Sequence, residues 1–494
     1  MTTYDYDIGI LGGGSAGLTI TAGSAMLGAK TLLIEKEPRL GGDCLHYGCV
    51  PSKTLIKTAH VYHLMKQAQK FGLPPVKVPP ADFKDIAKRI QSVIEVIQHH
   101  DSEERFCKLG ANVEFGEARF VDPHTVQVDD RKYSAKNWVV ATGSSPAVPS
   151  VEGLEKTPYL TNRDIFSLDH LPESLIVLGG GPIGIEMAQA FCRLGTRVTV
   201  IQHGEQILGK EDKDMADIVL RVLQSEGVTI YLNSSVLRVR DSGKIREVVI
   251  RTASEEISVQ GEMLLLAVGR TVNLKGLGLE TIGVEYDRGG LILDQRLRTT
   301  QLHIYGAGDV TGQYLFTHAA GYEGGIVIRN AIFHLPAKVS YSNLPWCTYT
   351  DPELASIGMN EKQAQAAGIS CSVWTEPFGS NDRSLAEGGD IGLIKLLLDE
   401  KERPLGVQIM GPHAGDLISE WVAMMNGNTK LSKIASAVHP YPTLGEINKR
   451  VIGNVFAEKV YSDKVRKGLK FFFNLRGRAC GMDEPDNTCN HQGS

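Results

Sequence analysis

The chain has 494 residues, 42% hydrophobic and 22% charged, with a formal charge of −5 and a pI near 6.3. That length suits two to four domains with sizeable cores, and the mild acidic balance gives no support to nucleic-acid binding or a globally membrane-seeking surface. Eight cysteines, no CxxC spacing and no apolar run of about eighteen residues argue against a disulfide scaffold, a metal site and a membrane span, and point to a reducing, cytoplasmic setting.

Tyr4-Asp5-Tyr6-Asp7 runs straight into an apolar strand, so no signal peptide is expected. Ile8 to Leu11 read as a buried strand ending in Gly12-Gly13-Gly14-Ser15-Ala16-Gly17, followed by a helix through Leu27. GxGxxG between a strand and a helix lets backbone N–H groups and a helix N-terminus approach a pyrophosphate. Thr31 to Ile34 form the next strand. Glu35, 23 residues after Gly12, stands where a carboxylate hydrogen-bonds an adenosine ribose, and Lys36 follows it.

Gly41-Gly42-Asp43-Cys44-Leu45-His46-Tyr47-Gly48-Cys49-Val50-Pro51-Ser52-Lys53 comes next and opens an apolar run of helical character. In a regular helix Cys44 and Cys49 would lie about 7.5 Å apart along the axis, beyond a comfortable disulfide. Joining them needs a distorted first turn, which Gly48 permits, and a strained, accessible bridge is readily reduced. Asp43 would raise the Cys44 pKa and a protonated His46 would lower it.

Phe83 to Leu109 carries one long helical pattern (Ile86, Ile90, Val93, Ile94, Ile97) and reads as structural. Short β segments follow at Val113 to Phe120 and Thr125 to Val128, then Trp138-Val139-Val140-Ala141-Thr142-Gly143. A second unit repeats the first: strand Ser174 to Leu178, Gly179-Gly180-Gly181-Pro182-Ile183-Gly184, helix Ile185 to Leu194 and strand Arg197 to Ile201. Gln202, 23 residues past Gly179, is the counterpart of Glu35, and His203 stands beside it. Two such units in one chain imply two different nucleotides.

Together these motifs resemble the flavoprotein disulfide reductases, the family that holds dihydrolipoamide dehydrogenase, glutathione reductase and mercuric reductase. The resemblance extends to about Val460. It implies an α/β fold of two Rossmann-like dinucleotide-binding domains, for FAD and for NAD(P), and a C-terminal α+β dimerisation domain. The corresponding limits are 1–148 for FAD, 149–270 for NAD(P), 271–340 for a central domain completing the FAD site, 341–465 for dimerisation and 466–494 for a basic, cysteine-containing tail.

Residue by residue, the resemblance places FAD on Gly12, Gly14, Ser15, Ala16, Gly17, Glu35 and Lys36, with Gly42, Asp43 and Lys53 alongside and Ala141, Thr142 and Gly143 where the chain leaves the flavin domain. It makes Cys49 the partner of the flavin and Cys44 the thiol that attacks substrate. NADH or NADPH would sit on Gly179, Gly181, Ile183, Gly184, Gln202 and His203. Gln202 has no charge to repel a 2′-phosphate and His203 is a poor stand-in for a gripping arginine, so both nicotinamides stay open. Glu186 would pair with Lys53 near flavin N5 and stabilise charge on the reduced ring. Gly269 and Arg270 match a domain junction, with valine where proline is usual. Gly308 and Asp309 match the second FAD segment, Asp309 on the ribityl chain. Thr317, His318 and Ala319 would meet the pyrimidine edge.

From about Tyr341, including Thr350-Asp351-Pro352-Glu353, the chain resembles the family's dimerisation domain, and family members are homodimers whose active site is completed by the partner. In dihydrolipoamide and glutathione reductases a catalytic histidine lies five residues before a glutamate. Counting back from Glu446 gives Tyr441, with His439 two residues too early. Tyrosine, with a pKa near 10, is a poor base at pH 7 but a useful hydrogen-bond donor; His439 supplies the base if the loop is rearranged. Mercuric reductases carry tyrosine at this spot, and Gln189-Ala190-Phe191 also looks like that branch. Their two adjacent terminal cysteines are missing; Cys480 and Cys489 are incidental thiols or a relay for a soft metal ion or a disulfide. Lys464 to Arg478, with Phe471-Phe472-Phe473 inside it, reads as a docked terminal helix, or else as a contact for a membrane or partner.

The expected function is therefore transfer of electrons from NAD(P)H through FAD to Cys44–Cys49, and on to a thiol-reactive acceptor: a disulfide, a metal thiolate or a quinone. The alternatives are a dihydrolipoyl dehydrogenase working in the opposite direction, and a redox subunit docking on a partner or membrane through its tail. A homodimer is expected, and no nucleic acid.

Overall fold

The computed structural model describes residues 3–475; Cys480, Cys489 and the Arg476 to Arg478 end of the basic tail lie outside them. Five strands run parallel in the first sheet, in the order Ala111–Phe115, Thr31–Glu35, Tyr6–Leu11, Arg131–Val140 and Ile304–Gly306. Their apolar runs are buried on both faces, as a parallel sheet covered by helices requires. The outer half of Arg131–Val140 turns instead to an antiparallel meander with Thr125–Val128 and Ala118–Asp122. The stretch expected as one β segment from Val113 to Phe120 is thus two strands, divided at Gly116, whose φ is +149°.

The long helical pattern is also divided. Phe83–Gln98 is one helix, His99–Asp101 a 3₁₀ turn and Glu103–Lys108 a second helix. Ser102 makes the break: its backbone is extended and its hydroxyl accepts the Arg105 N–H, the work of an N-cap. Phe83, Ile86, Ile90 and Ile94 form the buried stripe of the first helix. The Phe83 ring stacks on Phe191 of the helix Pro182–Leu194, centroids 5.5 Å apart. One core therefore spans both nucleotide units, and Leu354 and Met410 bring the C-terminal part into it.

The second unit has four parallel strands in the order Thr229–Tyr231, Arg197–Ile201, Ser174–Leu178 and Met263–Leu266, beside a meander of Ser235–Asp241, Arg246–Arg251 and Glu256–Gly261. Arg193, at the end of its first helix, is buried between Glu226 (2.5 Å) and Asp351 (2.7 Å), and Asp351 also meets His60 at 2.8 Å. Arg193 and Glu226 carry charge where little water reaches, and the more exposed Asp351 holds the other side of the guanidinium.

The C-terminal part is an antiparallel sheet in the order Pro345–Thr348, Glu353–Gly358, Pro404–Gly411, Leu393–Leu398 and Ser372–Pro377, covered by the helices Ala414–Asn426 and Glu446–Val460. The terminal helix Asp463–Phe473 is not docked as expected: none of its residues is buried. Its side chains leave an apolar face that nothing among the described residues covers. Among the described residues no helix is long and apolar enough to cross a membrane.

Candidate active site

The two glycine turns are built alike. Each follows a buried strand and starts a helix, Ser15–Met26 or Pro182–Leu194. Gly17 and Gly184 lie against the carbonyls of Gly12 and Gly179, where a Cβ would come within 1.8 and 2.1 Å. Glu35 accepts the Gly13 N–H at 2.5 Å and the Glu37 N–H at 2.8 Å. Gln202 accepts the Gly180 N–H at 2.8 Å and donates to the Gln206 carbonyl at 3.2 Å. His203 faces Ser235 Oγ at 3.0 Å.

Between the turns lies a cavity of 1790 Å³, larger than the roughly 300–1,000 Å³ of a pocket for one small ligand. Gly12, Gly14, Ser15, Ala16, Glu35 and Lys36 line one end; Gly181, Ile183 and Glu186 line another. A Cβ on Gly14 would approach nothing closer than 3.9 Å and one on Gly181 nothing within 4 Å, so both turns leave open space before a helix N-terminus. That is the cradle a pyrophosphate occupies, and the residues present fit a dinucleotide at each turn. Gln202 and His203 lie beyond the lining.

The cysteine stretch enters from one side. Cys44 sits on a short helix Gly42–His46, and Cys49 begins the separate helix Cys49–Lys66. The chain breaks where the spacing required: a Cβ on Gly48 would lie 2.9 Å from the Asp43 carbonyl and 3.1 Å from Cys44 Cα. Gly42 similarly packs 2.7 Å, measured from a virtual Cβ, from Gly14 Cα, which seats this stretch on the first glycine turn. Both cysteines are free thiols here, and Cys49 is exposed to the cavity. The two thiols act on each other unequally. Donation from Cys44, then from Thr317, and the charge of Lys53 pull Cys49 down to about 6 against its burial, while Cys44, as donor, is pushed well up. Cys49 Sγ lies 3.4 Å from Thr317 Oγ1.

Thr317 opens the helix Thr317–Ala331, whose positive end thus points toward the sulfur. Ser15 donates to the Thr317 carbonyl at 3.1 Å, His318 Nε2 is 2.7 Å from the Pro345 carbonyl, and Ala319 is buried behind them. One turn past Cys49, Lys53 Nζ meets Glu186 Oε2 at 2.8 Å. The other Glu186 oxygen accepts the Tyr349 N–H at 2.8 Å, and the Lys53 ammonium lies 4.4 Å from the Tyr349 ring centroid. Tyr349 thus holds both members of the pair.

Asp43 and His46 do not act on the sulfurs as expected. Asp43 pairs with Arg270 at 2.9 Å and accepts Asn162 at 3.1 Å, and His46 bonds the Leu40 carbonyl at 2.9 Å. Arg270 also donates to Ser144 Oγ at 2.6 Å, and Ser144 donates in turn to Asp309. Burial raises the Asp309 pKa, the Ser144 bond and Arg270 opposing it. Thr142 and Asn273 exchange hydrogen bonds at 2.6 and 3.1 Å, tying the Ala141–Gly143 segment to the chain after Gly269. The side chains of Asp43, His46, Asn162, Ser144, Arg270 and Asp309 all line the same cavity.

Tyr441, His439 and Glu446 are not brought to it. Tyr441 is 70% exposed and donates to Asp382 at 2.9 Å; that carboxylate raises its pKa. His439 is turned inward to Glu420 at 3.0 Å, and Glu446 begins the helix Glu446–Val460 with one carboxylate oxygen buried and unpartnered. Within one chain the loop faces outward, away from the sulfurs. Sequence reasoning missed Tyr349, Trp346 and Asn162 at the cavity. Tyr349 lies directly before the Thr350–Glu353 motif, a signal that could have found it; Asn162 had none.

The chain matches the family model described as pyridine nucleotide-disulphide oxidoreductase over residues 6–324, and the dimerisation domain of that family over 344–451. It is 32% identical over 445 residues to a mercuric reductase of Bacillus cereus, covering 90% of this chain and 70% of that protein. It is 33% identical over 471 residues to a dihydrolipoamide dehydrogenase of Chaetomium thermophilum, covering 93% of each. Among solved structures, the Cu(II) complex of the HOCl-induced flavoprotein disulfide reductase RclA from Escherichia coli is similar with a TM-score of 0.81 at 26% identity, covering 92% of this chain and 100% of that one.

Proposed function

This chain belongs to the pyridine nucleotide-disulphide oxidoreductase family, flavoprotein oxidoreductases that use FAD and NAD(P)H, and from that premise we propose that Cys44 and Cys49 are its redox pair and reduce a thiol-reactive acceptor. One observation carries the reading: Cys49 is held toward the thiolate beside Thr317, in the same cavity as both glycine turns and the Lys53–Glu186 pair. Bound FAD would supply the two-electron link between nicotinamide and sulfur.

The chain's own residues do the rest. The first glycine turn, Glu35, Lys36, Asp309 and the N-terminus of Thr317–Ala331 would hold FAD, and the second turn, braced by Gln202, would hold NAD(P)H. Lys53, fixed by Glu186 and the Tyr349 backbone, keeps a positive charge where the hydride is delivered. Cys44 attacks a disulfide acceptor, its proton ending on the first sulfur to depart, so that a mixed disulfide forms and one acceptor thiol is released. Cys49 then attacks the Cys44 sulfur, expels the second thiolate and leaves the Cys44–Cys49 bridge. Two thiols are oxidised and one disulfide is reduced.

The dimerisation-domain match supports a homodimer. We place the outward-facing loop of the partner, with Tyr441 as proton donor and Glu446 and His439 behind it, over the sulfurs. A tyrosine whose pKa is raised by Asp382 cannot deprotonate dihydrolipoamide at neutral pH. This favours the reductive direction, toward a disulfide, a metal thiolate or a quinone, over dihydrolipoyl dehydrogenase, although relatives of both kinds share about a third of the sequence. The limits 1–148, 149–270, 271–340 and 341–465 stand as proposed domains, and a reducing, cytoplasmic setting suits a chain with few, mostly scattered cysteines. The test is anaerobic reduction with NADH and NADPH, followed by turnover against lipoamide, Hg(II) thiolates and quinones. Turnover requiring both cysteines supports the reading; turnover untouched by Cys44→Ser and Cys49→Ser overturns it.

A further inference from the structure

The helix Asp463–Phe473 starts beyond residue 451, where the family match ends, and belongs to no part of the redox site. At about 100° per residue, Val465, Leu469, Phe472 and Phe473 fall within an arc of about 100°. Lys464, Arg466, Lys467 and Lys470 lie around the rest of the circumference, with Phe471 between Lys464 and Lys467, against one carboxylate, Asp463, which is itself paired with Arg466 at 2.8 Å. Phe471, Phe472 and Phe473 are 81, 77 and 71% exposed, and Tyr461 just before the helix is 70% exposed. Three consecutive phenylalanines bare of cover are far outside what solvent tolerates without a function.

We propose that this helix lies in the plane of an anionic lipid surface and docks the enzyme on it. The residue pattern decides the occupant. A flat apolar arc flanked by cations on both sides suits a bilayer, where phenylalanine and leucine enter the headgroup–acyl boundary and lysines pair with anionic headgroups. The cations are spread around the polar face with a single acid among them, so the charge complement is a broadly negative surface rather than one acidic side chain. The helix is too short to span and needs no partner to satisfy its backbone.

The experiment is co-sedimentation of the full-length, FAD-loaded protein with large vesicles of phosphatidylcholine alone and of phosphatidylcholine with phosphatidylserine. Binding to the anionic vesicles and not to the neutral ones, weakened by high salt, is expected. Neutralising Lys464, Arg466, Lys467 and Lys470 to Gln should lower that affinity at least 100-fold, at roughly fivefold per cation. Replacing Phe471, Phe472 and Phe473 by Ser should abolish it while the rate of flavin reduction by NAD(P)H stays unchanged. Equal sedimentation with and without the phenylalanines overturns the proposal, as does failure to bind either vesicle. So does dissociation of the dimer on removing residues 463–494, since the helix would then be covered by a second copy of this chain.

Discussion

Gln202 grips the second glycine turn as Glu35 grips the first: the Gly180 N–H donates to Gln202 Oε1 at 2.8 Å and the Gly13 N–H to Glu35 Oε2 at 2.5 Å. The structural half of the acid's work is thus retained and its charge is not. Gln202→Glu should keep the turn, since either oxygen accepts the same N–H, and should place a negative charge where a 2′-phosphate would come. The kcat/KM for NADPH should fall about 10- to 100-fold relative to that for NADH, measured as flavin reduction under anaerobic conditions. Equal losses for both nicotinamides would mean the variant merely damages the turn.

Lys53 and Glu186, 2.8 Å apart, join the first and second glycine-turn units where the proposed hydride path crosses between them. Lys53→Met keeps the aliphatic stem and removes the charge, leaving Glu186 with only the Tyr349 N–H. Flavin reduction by NAD(P)H should slow about 10- to 1,000-fold, the usual loss of one charge-stabilising group. The Cys49 pKa should rise with it, because Lys53 is one of the groups holding it down.

The Cys49 thiolate sets a pH limit. With its pKa lowered to about 6, Cys49 carries charge at neutral pH and loses it as pH falls through that value, so its alkylation should collapse on the acid side. Cys44→Ser keeps a donor and isolates Cys49 as the target; half-maximal alkylation by iodoacetamide, read by mass spectrometry of the Cys49 peptide, is expected near pH 6. Thr317→Val on that background removes a donor and should move the midpoint up by about one unit or more, the equivalent of one charge-assisted hydrogen bond. A midpoint left near the ordinary thiol value in both proteins would show that hydrogen bonds from positions 44 and 317 do not hold the Cys49 pKa down.

What could be read in the sequence was what repeats or spaces itself locally. Both glycine turns, the Cys44–Gly48–Cys49 break and the strands around them are short-range patterns, and their backbone requirements leave marks in glycine and apolar spacing. The division of the helical pattern at Ser102 was written there too, as an N-cap, but the apolar period ran on past it. Partners that meet across the fold left no such mark. Asp43 looked like a modulator of its neighbour Cys44, yet it is claimed by Arg270 and Asn162, more than a hundred residues away. The lack of cover on Asp463–Phe473 was equally illegible, because an amphipathic helix reads the same whether or not something packs on it.

Tyr441 gives the sharpest test of the assembly. Its hydroxyl donates to Asp382, and the carboxylate raises its pKa, so above neutrality it remains a protonated donor where a histidine would have titrated. Tyr441→Phe removes that proton and nothing else; acceptor turnover should fall about 10- to 100-fold while flavin reduction by NAD(P)H is unaffected. Tyr441 is exposed and does not line the cavity of its own chain, so on the proposed arrangement it acts on the sulfurs of the other subunit. Cys44→Ser and Tyr441→Phe subunits are each defective alone, but a mixed dimer contains one site with Cys44 and Tyr441 both intact. Co-expression with two affinity tags should therefore restore turnover to about half the wild-type value per mixed dimer, the arithmetic of one good site in two. If mixed dimers are no more active than the mean of the two parents, Tyr441 does not reach the partner's cysteines, and the proton for the departing thiolate comes from elsewhere.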